Sequence, residues 1–185
     1  MNFLATLWLP IVLSAVIVFI GSSIMHTLLT YHRSDYHQLP EEDKVMAGLR
    51  PLNLKPGLYV FPYCLPKDMK SPAAIEKYKQ GPVGTMTIRP NGQVVLGKFL
   101  GQWFVFLLVI GFFVAYLAAH TLPPGAPYLQ VFRVVGTAAF LAYGLANLSN
   151  GIWKGQPWGM TIKETIDGLI FALLTAGTFG WLWPK

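Results

Sequence analysis

Long apolar stretches alternate with short polar ones along this chain. No Asp, Glu, Lys or Arg occurs in Met1–His32, Phe99–Phe132, Val134–Trp153 or Gly168–Pro184. A helix crosses a bilayer with about 20 consecutive apolar residues. The four runs therefore predict transmembrane helices at 4–28, 99–121, 129–148 and 162–183. The expected fold is an α-helical integral membrane protein with a small soluble α+β insertion between the first two helices. Its expected divisions are 1–29 (first helix), 30–98 (insertion) and 99–185 (the other three helices). Trp8, Trp103, Trp181 and Trp183 stand near predicted helix ends, where an amphipathic ring suits the membrane–water interface.

The insertion has its own punctuation. Pro40 followed by Glu41, Glu42 and Asp43 opens a short helix that Pro51 closes. The aromatic, β-branched run Leu58–Tyr63 predicts a strand, and Ser71-Pro72 opens a second helix that ends at Gly81-Pro82. The two alternating runs around Pro90-Asn91-Gly92 predict a β-hairpin. Further on, Thr161-x-x-Glu164 has the pattern of a capping box for the last helix.

Small residues recur every four positions on three of the apolar runs. The last helix carries Gly168, Ala172, Ala176 and Gly180, the third Ala138, Ala142 and Ala146, and the second Gly111, Ala115 and Ala119. In lipid, such stripes let backbones approach and gain dispersion contacts. They predict a four-helix bundle, or equally a homo-oligomer joined through the last helix.

Composition supports the membrane reading. The 185 residues are 54% hydrophobic and only 12% charged, where about 25% is usual in soluble domains. The net charge of +6 does not require nucleic acid, because basic residues gather beside predicted spans. Arg33, Lys98, Lys154 and Lys163 flank one side, which the positive-inside rule assigns to the cytoplasm. Both termini are then expected outside. The first run lacks the basic n-region of a signal peptide and is expected to be retained. Cys64 is the single cysteine, so no intrachain disulfide can form. Lys67, Lys70, Lys77 and Lys79 suit either anionic headgroups or water.

Candidate chemistry concentrates where the first helix leaves the bilayer. His26, His32, Asp35 and His37 lie within twelve residues, and imidazoles with a carboxylate suit a divalent metal. The spacing matches no established metal motif, and interface anchoring by His and Tyr explains it adequately. Asp167 is the second candidate, because an acid within a span is costly. Lys163, one turn before it, offers a local partner, and Asn147, Glu164 and Asp167 are expected to form a polar cluster at the cytoplasmic end. His120 and Arg133 lie at the opposite leaflet, so no line of ionisable groups crosses the bundle. The G-x-S-x-G, H-E-x-x-H, Walker and C-x-x-C signatures are all missing.

The segments HRSDYHQLPEED, PGLYVFPYC and IDGLIFALLTAGTFGWLWP resemble those of small bacterial four-helix integral membrane proteins with no assigned activity. The resemblance covers most of the length and implies an architecture in a bacterial inner membrane, but no catalytic residues. Residues alone favour a non-catalytic accessory or scaffolding subunit, with membrane lipids and another membrane protein or a second copy as partners. The alternatives are a metal-assisted interface enzyme acting on a lipid or quinone, and an oligomeric channel or carrier.

Overall fold

A computed structural model describes residues 3–185. The chain is mostly helical and divides into two units, one built from residues up to Tyr36 with Val95–Lys185, the other from His37–Val94.

The larger unit holds four long helical stretches: α1 (Phe3–Thr27), α4 (Leu96–Thr121), α5 (Tyr128–Tyr143) continued by α6 (Leu148–Trp153), and α7 (Trp158–Trp181). α1, α4 and the continuous stretch Tyr128–Trp153 are long and apolar enough to cross a membrane. α7 is 24 residues long, but Lys163, Glu164 and Asp167 make its first half more polar. α1 packs on α4 and α7, and α5 packs on α4 and most extensively on α7, so the four close a ring. α1 buries Leu7, Ile11, Ser14, Val18, Ser22 and Met25, spaced three or four apart along one face. Buried hydroxyls turn back onto their own helices: Thr175 Oγ1 donates to Phe171 O at 2.9 Å and Thr178 Oγ1 to Leu174 O at 2.8 Å.

The small-residue stripes are used unequally. At Gly168, a Cβ would lie 2.4 Å from Gly144 Cα, so α7 and α5 meet backbone to backbone. Ala172 and Ala176 are fully buried in the same seam, and Gly180 accommodates the Tyr128 ring. Gly111 and Ala115 of α4 face the core, Gly111 lying against Ile11 of α1. On α5 the small residues are less enclosed. Its buried face is Val131, Val135, Ala139 and Tyr143; Ala138 is half-buried and Ala142 exposed. The closest approaches to α7 come from glycines: a Cβ at Gly136 would lie 3.3 Å from Ala176 Cβ, and Gly144 faces Gly168.

In the second unit, α2 (Glu42–Leu49) and α3 (Pro72–Gln80) accompany an antiparallel pair, β1 (Gly57–Phe61) and β2 (Gly84–Ile88), with Tyr59 opposite Met86. Ser71 caps α3 by accepting from Ala74 N at 3.2 Å. The predicted hairpin is not formed: Gly84–Ile88 pairs with the earlier strand, and Leu96 already begins α4. Ala74 is this unit's one buried residue among those described.

Candidate metal centre

His26 sits in the last turn of α1, where its Nδ1 meets Ser22 O at 3.0 Å. A carbonyl only accepts, so Nδ1 carries the proton and Nε2 keeps its lone pair. Past Thr30, the chain tightens into one 3₁₀ turn, Tyr31–Asp35. Three residues per turn bring His32 and Asp35 onto one side. His32 Nδ1 then lies 2.6 Å from Asp35 Oδ2, and His32 Nε2 lies 2.7 Å from Asp167 Oδ2 on α7.

α7 fixes this turn from the other side. Lys163 Nζ donates to Asp35 Oδ1 at 2.6 Å, Tyr31 O at 2.6 Å and Ser34 Oγ at 2.8 Å. One turn on, Asp167 accepts the Tyr31 hydroxyl through Oδ1. The side chains of Asp35 and Asp167 are only 3% and 5% exposed, so both carboxylates depend on these partners rather than on water. The His26 ring stacks on His32 with centroids 4.7 Å apart and planes 13° off parallel. Its Nε2 is 4.0 Å from Asp167 Oδ2.

Protonation follows from these contacts. Burial works against a charged His32, but the hydrogen bonds and charges of Asp35 and Asp167 outweigh it and raise its pKa above 6.5. The Lys163 ammonium, then His32, holds Asp35 below the ordinary carboxylate range. Burial, reinforced by Asp167, pushes the Tyr31 hydroxyl up, keeping it a donor. Without a metal, the centre is a charge-compensated chain running Lys163, Asp35, His32, Asp167, Tyr31.

The same arrangement suits a cation. One ligand atom each from His26, His32 and Asp167 lies within 4.8 Å of the others. Around a zinc at about 2.0–2.1 Å, tetrahedral ligands are about 3.4 Å apart. That value falls between the 2.7 and 4.0 Å separations from Asp167 Oδ2 to the two imidazoles. Each ligand also has an outer partner: Ser22 O for His26, Asp35 for His32 and Tyr31 for Asp167. Such partners fix ring orientation and tautomer in histidine metal sites.

The expected ligands therefore divide. His26 and His32 converge, Asp35 stands behind His32, and Asp167 of the expected polar cluster completes the group that could hold a metal ion. His37 belongs to the other unit. Lys163 serves Asp35 rather than Asp167 as its ion-pair partner. Asn147 Nδ2 donates to Tyr143 O at 2.9 Å, while Glu164 accepts from Gln156 Nε2 at 2.7 Å. The roles of Tyr31 and Lys163 had no sequence signal, since nothing in the spacing pairs 31–35 with 163–167.

Beside the centre opens a cleft of about 610 Å³, to which all four helices contribute. Two of these three residues, His26 and Asp167, line it together with Asn147 and Glu164.

No protein family, curated protein or solved structure matches this chain.

Proposed function

We propose that this chain is a four-span integral membrane protein of the bacterial inner membrane, with its insertion and polar centre on the cytoplasmic side. We further propose that it binds a divalent first-row metal through His26, His32 and Asp167 and acts as a metal-assisted enzyme at that interface. The observation that carries the reading is the placing of Asp167 Oδ2 between His32 Nε2 at 2.7 Å and His26 Nε2 at 4.0 Å. Both imidazoles are already oriented through their other nitrogen. Two imidazoles with one carboxylate suit zinc or iron(II). A metal there would acidify bound water or polarise an oxygen of a substrate.

The accessory-subunit reading loses one support, because the α7 stripe is taken up within the bundle by Gly144 and Tyr128. Elemental analysis after purification in mild detergent tests the metal reading. One equivalent of zinc or iron per chain is expected, falling to background in Asp167→Ala and His32→Ala. An equally metal-free wild type and variant would overturn it.

A further inference from the structure

We infer that the cleft beside the metal centre is the seat of a single-chain amphiphile, whose oxygen-bearing head ligates the metal and whose alkyl chain lies along α4. This inference rests on the metal reading above.

The cleft is polar at one end and aromatic at the other. His26, Asp167 and Glu164 form the polar end. One turn further along α7 from Asp167, Phe171 begins a closed circuit of rings. Phe171 meets Trp103 at 6.1 Å, Trp103 meets Phe106 at 5.5 Å, Phe106 meets Tyr143 at 6.5 Å, and Tyr143 returns to Phe171 at 6.0 Å. The Trp103 indole N–H is already satisfied by Ser22 Oγ at 3.0 Å, so it asks nothing polar of an occupant.

The mouth selects for a molecule dissolved in lipid. Its exposed rim includes Leu96, Leu100 and Phe106 of α4, and Ala142 of α5. On a membrane-embedded bundle, these side chains face lipid tails. A water-soluble metabolite would have to cross them, whereas an alkyl chain gains by doing so. The volume lies within the usual 300–1,000 Å³ of small-ligand sites, suiting one head with one chain. The metal gives a negative head a Lewis acid at close range, which the charge-compensated chain of Lys163, Asp35, His32 and Asp167 does not offer by itself.

The experiment uses cobalt(II)-loaded full-length protein in lipid nanodiscs, with acetohydroxamate and dodecanohydroxamate as probes. Both carry the same chelating head, and the cobalt visible bands report its binding. Dodecanohydroxamate is expected to bind about tenfold or more tightly than acetohydroxamate, the equivalent of about two buried methylenes. Ala142→Trp fills the cleft from its rim and should abolish that chain-length advantage, while cobalt stoichiometry stays at one per chain. Leu100→Trp, at an exposed position on the facing helix, makes the same test if Ala142→Trp does not fold. An advantage that persists in the filled variants reflects partition into the bilayer and overturns the inference while leaving the metal centre standing. Absence of any chain-length advantage in the wild type overturns it as well. Failure of cobalt to bind removes both readings.

Discussion

At the scale of single residues, His32 is held through both ring nitrogens, and its two carboxylate partners differ in what else they touch. Asp35 is bound by Lys163 behind the ring; Asp167 also faces His26 and the cleft. Asp35→Asn should therefore keep one metal per chain at saturation but weaken affinity about 10–100-fold, as loss of an outer-shell carboxylate does. Competition with a chromophoric chelator measures it, and unchanged affinity would remove Asp35 from that role. The metal-free protein should respond to pH in two limbs. His32 has a raised pKa, so its stabilising contribution is present below 6.5 and fades as pH climbs through the higher folded value. Asp35 has a lowered pKa, so its contribution is present above 3.8 and fades as pH falls. With chelator present, the thermal midpoint should peak between these values, and a monotonic profile would contradict the assigned pairs. The sequence marked this neighbourhood, since His26, His32 and Asp35 are close in the chain. It did not separate ligand from support, because that depends on α7 arriving beside the 3₁₀ turn, which no local pattern encodes.

At the scale of elements, helix existence was legible and helix ends were not. Uncharged runs located all four long helices, yet α7 begins at Trp158, a turn before the capping-box pattern. Thr161 is inside the helix, buried, with its hydroxyl on Pro157 O at 3.2 Å, and Glu164 is engaged by Gln156 instead. The Pro90-Asn91-Gly92 turn signal was overridden: β2 pairs with β1 instead, and α4 begins at Leu96, leaving only 93–95 between turn and helix. The buried face of α7 carries Gly168, Ala172 and Ala176. Gly168→Ala should destabilise by about 1–3 kcal/mol or more, since its Cβ would meet Gly144 backbone at 2.4 Å rather than a movable side chain. Gly111→Ala meets Ile11 at 3.3 Å and should cost markedly less. Unfolding titrations of the two variants in mixed micelles compare them; equal losses would contradict the close α5–α7 seam.

At the scale of the whole molecule, apolar run length and charge placement carry the membrane reading. Cys64, the single cysteine, provides a probe of the proposed orientation, because it lies in the insertion and is half-buried. A membrane-impermeant maleimide should label it in inverted inner-membrane vesicles and not in intact spheroplasts; the reverse pattern would invert the topology. Charge counting can propose such a side, but it cannot reveal that residues 26–35 and 163–167 build one centre, since their meeting is a property of the closed helix ring. The most direct measurement of that centre is X-ray absorption on zinc-loaded protein. The account predicts a first shell of two imidazole nitrogens and carboxylate oxygen near 2.0–2.1 Å, with the imidazole scattering lost in His32→Ala. A shell of oxygen alone, or one containing the Cys64 sulfur, would contradict it.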